Sequence, residues 1–544
     1  MSSNARPDAS PRPPGVWLWG GLGLVALLLR LDQLSAVTLW YDEAAAWKTV
    51  SLPGWLMMQS IAANVHPPGY YLLLKGWSEL WGDSPAALRS LSVLLGLVTV
   101  GLVGRLAREV VIAVESSRDR SRTTEVHIHS LWASWTAAAL YTVHPIALEQ
   151  SQQARMYALG LALTAGLGIG LVQLLMNPRS LGAWGLVILC GNGLVLTHYY
   201  GLLTALVAVI AVGGISVRAW WQEPTWRRSL VIRWVLALWF SGQVIVWWGP
   251  TFLAQRERVQ EDYWIAPWAR QDVFMGLAGW VSGFAIQDLS AESLIGLACL
   301  TGLLMGSLLL WRRWDRSRPW DVIALLLTLI VGPIVISTGL SLTGRNILQP
   351  RYWCFAHLFF VVAIACRWGL PGATGVRWLG LSRPGALILA WGIFWAGHYH
   401  ARRTELARES GITQALACLQ QAGQPADLVL VQSPFVYLTI QHGLGHRMNL
   451  YQWDNSQPLK HHQGSAVIFA HERIKFQDPA LASARRLWVV ADNLATGVFA
   501  DDQTCPPVDW TMQQHWPFRE AHPVPFQLDL RLYERSSPTV TRTP

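Results

Sequence analysis

Two adjacent carboxylates, Asp42 and Glu43, lie among the aromatic residues Trp40, Tyr41 and Trp47. A carboxylate that is partly withdrawn from water has its proton affinity shifted by its surroundings, and such a group can act as a general base. We therefore predict that Asp42 is a catalytic base and that Glu43 either orients it or shares a divalent cation with it. The local sequence leaves one alternative open, an acidic turn that caps an interfacial helix.

A cation held by this pair would need a third ligand, because adjacent side chains point in different directions on most backbones. Glu149 and His66 are the candidates for that ligand. We assign no cofactor and no metal ligand on this basis, and a divalent cation remains possible.

Three arginines and a tyrosine are predicted at the outer ends of membrane helices, in the segments EQSQQARMY and GRNILQPRYW (Arg155, Arg345, Arg351 and Tyr352). A guanidinium donates two parallel hydrogen bonds to a phosphate, so we predict that this set binds the phosphate of a donor substrate. Snorkelling of the arginines to lipid headgroups is the alternative.

A further set of residues is predicted to contact substrate: His66, Glu149, Tyr157, His198 and Tyr199. His66 precedes two prolines, and His198 and Tyr199 lie at the outer tip of a predicted helical hairpin. A tyrosine ring can stack on a sugar. A structural role for the histidines and interfacial anchoring by the tyrosines are the alternatives.

The elements that must position these residues are membrane helices. Of the 544 residues, 52% are hydrophobic and 14% are charged, against about 25% charged residues in an ordinary soluble protein. Apolar runs of about 16 to 22 residues recur, and each is long enough to cross the hydrocarbon layer as a helix. We predict a polytopic α-helical membrane protein with about eleven transmembrane helices.

The net charge of +9 does not indicate nucleic-acid binding, because the basic residues concentrate in alternate loops. That distribution is the positive-inside pattern, and it predicts a cytoplasmic N-terminus and outward-facing polar clusters. The enzyme that we predict therefore works on the outer face of a membrane.

The sequence divides into three regions. Residues 1–15 are predicted as a cytoplasmic tail, and residues 16–400 as the transmembrane domain, with a catalytic outer loop at 32–85. Residues 401–544 are predicted as an extracytoplasmic α/β domain, because the apolar pattern changes to short strands at 427–432, 486–491 and 526–533.

Three local predictions accompany this division. Residues 130–148 are predicted as one membrane span, and residues 250–272 as a polar outer loop. Cys418 and Cys505 could form a disulfide if the C-terminal domain is exported.

Chemistry on the outer face has no nucleotide donor available, so an activated sugar must arrive on a lipid. A polyprenyl-phosphate sugar meets that need. Its phosphate is a good leaving group once its charge is neutralised, whereas the acceptor hydroxyl needs a base. One carboxylate and one or two cations at the outer surface are sufficient for this reaction.

Six segments in the same order give the chain a family resemblance: WYDE, HPPGYYLLLKGW, GDSPAALRSLSVLLG, QSQQARMYAL, THYYGLL and QPRYW. As a set they resemble the bacterial GT-C glycosyltransferase superfamily. The nearest branch contains protein O-mannosyltransferases, the lipid A aminoarabinose transferase and the rhizobial RgtA/B/C/D-like lipopolysaccharide transferases.

The resemblance implies a GT-C-like transmembrane fold and an inverting transferase that uses a polyprenyl-phosphate monosaccharide. It implies an acceptor that is a glycan, lipid or protein of the cell envelope, in a bacterial plasma membrane. It also places Asp42, with Glu43 beside it, at the catalytic centre. One departure is Gln153, where relatives often carry Glu. Glu149 lies four residues earlier and would share a helical face with it.

Two other classes compete with a transferase. A transporter or flippase usually has ionisable groups inside its spans and related halves, but the predicted spans here are nearly free of charge. A lipid-linked oligosaccharide ligase differs in its donor rather than in its architecture.

Overall fold

The chain folds into two compact units, each built from separated stretches of sequence. The computed structural model describes residues 13–115, 123–261, 263, 265, 267, 270–283, 291–314, 320–368, 383–493, 509–520 and 525–535. Unit 1 comprises Met1–Asp32, Ser90–Pro250 and Ile265–His400, and unit 2 comprises Gln33–Arg89, Thr251–Trp264 and Ala401–Pro544.

The secondary structure of unit 1 is helical in its described residues. The helices that lie mainly in it are α1 (Val16–Leu31), α5 (Pro85–Glu115), α6 (Thr123–Val143), α7 (Pro145–Ser151), α8 (Tyr157–Met176), α9 (Leu181–Thr197), α10 (Tyr199–Gln222), α11 (Arg227–Glu261), α12 (Arg270–Ser282), α13 (Ala291–Trp314), α14 (Trp320–Thr343), α15 (Cys354–Trp368) and α16 (Arg383–Glu409).

Several of these helices have the length and apolarity of membrane spans. In the described part of the chain, five helical segments meet both criteria: Pro85–Glu115, Tyr157–Met176, Tyr199–Gln222, Pro224–Glu261 and Asp321–Thr343. Four shorter apolar helices accompany them, at Val16–Leu31, Leu181–Thr197, Val273–Ser282 and Ile295–Met305. The chain is therefore a multi-pass membrane protein by helix length and composition, and the number of about eleven spans stays a prediction.

The predicted single span over residues 130–148 is wrong in detail, because the helix is interrupted at His144. Pro145 has no N–H to donate, and its ring disfavours a helical conformation at the residue before it. His144 accordingly has an extended backbone, with φ −71° and ψ 127°. Its Nδ1 atom accepts a hydrogen bond from the backbone N–H of Ile146 at 3.2 Å, which caps the new helix α7.

The predicted outer loop at 250–272 is also wrong over its first part, because α11 continues through Pro250 to Glu261. Polar side chains in this extension have partners that stabilise it. Gln255 donates from Nε2 to the carbonyl oxygen of Ile61 at 2.9 Å, and Arg258 donates from Nη2 to that of Ala62 at 2.9 Å. The polar composition therefore marks a docked helix end rather than a loop.

Unit 2 combines short helices with a six-stranded sheet. The helices that lie within it are α2 (Tyr41–Ser51), α3 (Gly54–Ala63), α4 (Gly69–Trp81), α17 (Gly411–Ala422), α18 (Pro434–Leu444) and α19 (Pro479–Ser483). The strands are β1 (Leu428–Val431), β2 (Asn449–Trp453), β3 (Arg473–Ile474), β4 (Arg486–Asp492), β5 (Trp510–Glu520) and β6 (Phe526–Arg535). We call α17–α19 with β1–β6 the C-terminal sheet domain.

The sheet has the order β3-β2-β1-β4-β6-β5, with β1 to β4 parallel and β5 and β6 antiparallel. Strand β1 has the sequence LVLV and all four residues are buried, as expected for a parallel strand that is covered on both faces. Strand β5 is a mostly exposed edge strand and tolerates Pro517 for that reason. The three strands predicted from the sequence are confirmed as β1, β4 and β6.

Of the two cysteines of the predicted disulfide, only Cys418 lies within the described residues. The thiol of Cys418 is free, and burial raises its pKa. Cys505 lies outside the described residues, so the pairing stays a prediction.

Candidate functional site

The carboxylate pair lies in the first turn of α2, which we call the acid helix. Trp40 precedes the helix in an extended conformation, with φ −76° and ψ 168°. Its backbone N–H donates to Oε2 of Glu43 at 3.3 Å, so Glu43 occupies the acidic position of a capping box. Acidic residues in the first turn also stabilise the helix through their interaction with the positive end of its dipole. The sequence WYDEAAA therefore specifies where the helix begins.

Glu43 is committed to an ion pair with Arg89, a residue of α5. Nε of Arg89 lies 2.9 Å from Oε1 of Glu43, and Nη2 lies 2.6 Å from Oε2. Glu43 is 0% exposed and Arg89 is 4% exposed. A two-point contact of this kind combines charge with fixed geometry. The Glu43 carboxylate therefore has a defined orientation and a permanent counterion.

The remaining donors of Arg89 fix the chain segment that leads into the acid helix. Nη1 donates to the carbonyl oxygens of Leu34 and Val37 at 2.8 and 2.9 Å. Nη2 also donates to the carbonyl oxygen of Thr38 at 3.0 Å. One arginine thus binds both the first turn of α2 and the three carbonyls before it.

Asp42 has different surroundings from Glu43, although the two residues are neighbours in sequence. Successive side chains on an α-helix are rotated by about 100°, so Asp42 points away from the face that meets Arg89. Its side chain is half-buried, whereas that of Glu43 is fully buried. The structure therefore separates the two carboxylates by environment.

His66 also belongs to unit 2. It lies half-buried in the short connection between α3 and α4, directly before the buried residues Pro67 and Pro68. Pro68 is the N-cap residue of α4, so the prolines of the HPP segment set where this helix starts.

Four predicted or neighbouring residues of unit 1 meet in one group of rings, which we call the aromatic cluster (Tyr157, His198, Tyr200 and Tyr352). Tyr352 is its centre, with ring centroids 4.5 Å from Tyr200, 5.0 Å from His198 and 6.3 Å from Tyr157. The Tyr157 and His198 rings are 5.3 Å apart. Three segments that are far apart in sequence, QARMY, THYY and QPRYW, therefore converge here.

His198 has a fixed tautomer in this cluster. It is the N-cap residue of α10, and its Nδ1 atom accepts a hydrogen bond from the backbone N–H of Tyr200 at 3.0 Å. A neutral imidazole that accepts at Nδ1 carries its proton on Nε2. His198 therefore presents an N–H donor on the far side of its ring.

Helix α10 begins at Tyr199. The position of this first residue determines the directions in which the Tyr199 and Tyr200 side chains point. Tyr199 points elsewhere, and its hydroxyl accepts a hydrogen bond from Nε1 of Trp248 at 3.2 Å. Tyr200 contacts Tyr352 instead. One residue changes the direction on a helix by about 100°, so Tyr199 and Tyr200 have different surroundings. The role of Tyr199 in substrate binding stays a prediction.

The predicted phosphate-binding arginines have three different environments in unit 1. Arg155 lies between α7 and α8 and is 5% exposed. Arg351 is half-buried in a 3-10 turn, with its guanidinium carbon 5.4 Å from the centre of the Tyr352 ring. Arg345 is exposed in the connection after α14. The contact with Tyr352 joins Arg351 to the aromatic cluster.

Glu149 lies near the end of α7, half-buried, with its Oε1 atom 3.5 Å from Nε2 of Gln153. Helix α7 ends at Ser151, so Gln153 lies outside it and the two residues do not share the helical face that the sequence predicted. Among the described residues, no group of three or more His, Cys, Asp or Glu side chains is placed to hold a metal ion. We assign no metal ligand to Glu149 or His66.

Sequence reasoning missed Arg89 as a functional candidate. The available signal was a single arginine in the otherwise apolar run ALRSLSVLLG, where an unpaired charge would be costly. That signal predicts a partner for Arg89 but does not identify Glu43 as that partner.

Comparisons with known proteins give structural similarity only. No family model and no curated protein matches the chain. The S. cerevisiae protein O-mannosyltransferase Pmt1-Pmt2 complex, bound to its sugar donor, matches with 18% identity and a TM-score of 0.33, over 44% of this chain and 33% of that chain. This chain therefore spans about a third of that protein's length.

Two other solved structures match over more of their length. ArnT from Cupriavidus metallidurans, bound to undecaprenyl phosphate, has 14% identity and a TM-score of 0.39, over 95% of this chain and 98% of that chain. The oligosaccharyltransferase AglB from Archaeoglobus fulgidus, with an inhibitory peptide and a dolichol-phosphate, has 12% identity and a TM-score of 0.42, over 91% and 75%.

These three proteins are GT-C glycosyltransferases, the superfamily that the sequence motifs resemble.

Proposed function

We propose that this protein is a membrane glycosyltransferase that moves a monosaccharide from a polyprenyl-phosphate donor to an acceptor hydroxyl of a cell-envelope glycan, lipid or protein. The reaction takes place on the outer face of a bacterial plasma membrane, and the N-terminus is cytoplasmic. Asp42 is the general base, and Glu43 orients it.

One observation carries the proposal: the two adjacent carboxylates of the acid helix have different environments. Glu43 is buried and bound to Arg89 at 2.6 and 2.9 Å, so it cannot accept a proton without losing its counterion. Asp42 is half-buried on another face of the helix. Carboxylates with such divided environments have divided roles in catalysis.

The proposed reaction is a single displacement with inversion at the sugar. The acceptor oxygen forms a bond to the anomeric carbon as its proton passes to Asp42. The bond between the anomeric carbon and the phosphate oxygen breaks, and the electron pair leaves with the polyprenyl phosphate. Arg155 and Arg351 neutralise the phosphate charge, which lowers the energy of the transition state.

The aromatic cluster is proposed to bind the sugar of the donor. Tyr157, Tyr200 and Tyr352 supply ring faces, and His198 supplies an oriented N–H donor. A site built to hydrogen-bond a hydroxyl discriminates strongly between sugars that have it and sugars that lack it. The contact of Arg351 with the Tyr352 ring supports a shared site for sugar and phosphate in unit 1.

A transfer assay with two donor classes tests the proposal. Purified protein in lipid nanodiscs is given a polyprenyl-phosphate monosaccharide or a polyprenyl-diphosphate oligosaccharide, with envelope lipids and glycans as acceptors. We expect transfer from the monophosphate donor only. Transfer of whole glycans from the diphosphate donor would identify a ligase. If protein reconstituted in liposomes moved the donor from one leaflet of the bilayer to the other without forming a glycosidic bond, the protein would be a flippase.

A further inference from the structure

The carboxylate of Glu472 is a buried junction between the acid helix and the C-terminal sheet domain. Its Oε1 atom accepts hydrogen bonds from Nζ of Lys48 at 2.7 Å and from Nε2 of Gln441 at 2.8 Å. Its Oε2 atom accepts one from the backbone N–H of Phe469 at 2.8 Å. The side chains of Lys48 and Glu472 are 14% and 9% exposed. Helix α2 is therefore tied to both α18 and the segment before β3.

A second contact lies on the same face of the acid helix. The hydroxyl of Tyr41 donates to the carbonyl oxygen of His462 at 2.9 Å, and its ring meets Phe435 edge-on at 5.0 Å. Lys48 follows Tyr41 by seven residues, which is about two helical turns. The two side chains therefore share one face, and the C-terminal sheet domain holds this face at both ends of the helix.

Trp47, the residue before Lys48, makes a further contact through its indole ring. Its Nε1 atom donates to Asp83 at 3.0 Å, and its ring lies edge-on to His442 at 4.9 Å. The Nε2 atom of His442 lies 2.9 Å from the carbonyl oxygen of Asp83. This triangle joins α2, α18 and the connection after α4.

The acid helix is thus held from two sides, and Asp42 lies between them. Glu43 is rotated by about 200° from Tyr41 around the helix axis and binds Arg89 on the opposite face. Asp42 is rotated by about 100° from each of these two residues. A rotation of the helix would break one set of contacts, so together they fix the direction of the Asp42 side chain.

We propose that the C-terminal sheet domain positions the catalytic base Asp42, and that Lys48 and Glu472 are the positioning residues through which it does so. This inference rests on the proposed function of Asp42, and it assigns to the sheet domain a part in catalysis rather than a separate activity. The Glu472 carboxylate accepts hydrogen bonds from Lys48, Gln441 and the Phe469 backbone, and a charge-assisted contact of this kind adds geometric specificity as well as energy.

Three variants of the full-length protein in nanodiscs test the inference. Lys48→Met removes the charge and keeps the side-chain length, and Lys48→Arg restores a donor. Asp454→Asn is the matched control, because Asp454 forms an ion pair of similar length with Arg473 at 2.6 Å in the same domain. Two quantities are measured: hydrogen exchange of the peptide that covers α2, and kcat and KM for sugar transfer.

For Lys48→Met we expect exchange in α2 to be about tenfold faster and kcat to fall about tenfold, with the donor KM within about twofold of wild type, because misplacement of a base affects chemistry rather than binding. Lys48→Arg should recover most of both effects, and Asp454→Asn should show neither. This separation of kcat from KM distinguishes positioning from general destabilisation.

Unchanged exchange in α2, unchanged kcat despite faster exchange, or an equal effect of Asp454→Asn would each overturn the inference. If the wild-type protein transfers no sugar, the proposed function fails on its own. The exchange measurement then still decides whether Lys48 and Glu472 hold the acid helix, with faster exchange supporting that contact and unchanged exchange refuting it.

Discussion

Arg89 binds both carboxylate oxygens of Glu43, with Nε–Oε1 and Nη2–Oε2 distances of 2.9 and 2.6 Å, in a pair that is almost completely buried. The pair is more than a stabilising contact, because Glu43 is the immediate neighbour of the proposed base. It holds the Glu43 carboxylate in one orientation and fixes the backbone that carries Asp42.

The Glu43–Arg89 pair should show strong coupling in a double-mutant cycle. Glu43→Gln or Arg89→Gln alone should destabilise the protein by about 3 kcal/mol, because each leaves a buried charge without its partner. The double variant should be more stable than the sum of the single effects predicts, by about 1 kcal/mol or more. Unfolding by denaturant in detergent micelles measures the free energy of unfolding of the wild type, the two single variants and the double variant. Additive effects of the two substitutions would contradict the pairing.

The aromatic cluster should contribute to donor binding through its rings. Tyr352→Ala removes the central ring on which the sugar is proposed to stack, a contact worth about 1 kcal/mol or more, so the donor KM should rise about tenfold. Tyr352→Phe keeps the ring and should stay within about threefold of wild type. An equal effect of both substitutions would show that the hydroxyl, and not the ring, is what matters.

Arg155 and Arg351 should act on the donor and not on the acceptor. Arg155→Met or Arg351→Met should raise the donor KM about ten- to a hundredfold, as expected for loss of a charged hydrogen bond. Acceptor KM should stay within about twofold. Arg447→Met, at an exposed position of the sheet domain, serves as the control. An unchanged dependence on donor concentration would remove the arginines from the phosphate role.

Glu472 should make stability depend on pH in acid. Burial by itself would raise the pKa of this carboxyl, but hydrogen bonds from Lys48, from the Phe469 backbone and from Gln441 outweigh it and hold the pKa below its ordinary value of 4.5. A depressed pKa in the folded state gives a stabilisation that is present above the unfolded pKa and is lost as pH falls through the folded one.

The difference in melting temperature between wild type and Glu472→Gln should therefore be constant near neutral pH and shrink below about pH 4.5. Among the described residues, Lys48 and Tyr437 are groups that contact Glu472. The pKa of Tyr437 is raised by burial and by the Glu472 carboxylate, so it stays neutral. Thermal unfolding in detergent from pH 7 to pH 4 checks this, and a difference that does not change with pH would contradict it.

Local sequence patterns predicted much of the fold. Strand β1 is recognisable because LVLV is apolar throughout, and β4 and β6 are recognisable for similar reasons. Strand β5 was not predicted, because its residues are mostly polar and exposed at the sheet edge. The acid helix was anticipated only in the alternative interpretation of the acidic turn after Trp40, since the segment was predicted as an outer loop. The break before α7 depends on Pro145, which a hydropathy pattern does not detect.

The contacts that define the candidate site could not be predicted in the same way. Glu43 and Arg89 are 46 residues apart in sequence, and Lys48 and Glu472 are 424 apart. No periodicity links residues at such separations, and no amphipathic pattern indicates which charges will meet. The choice between Tyr199 and Tyr200 depends on where α10 begins, and a helix boundary uncertain by one residue reverses it.

The most direct test of the proposed chemistry is the turnover of Asp42→Asn in transfer from a polyprenyl-phosphate sugar. The substitution nearly preserves shape but removes the group that takes the proton. We predict a fall in kcat of about a hundredfold or more with little change in donor KM, as expected for loss of a general base. A loss below about tenfold, equivalent to about 1.4 kcal/mol in the barrier, would contradict the assignment of Asp42 as the base.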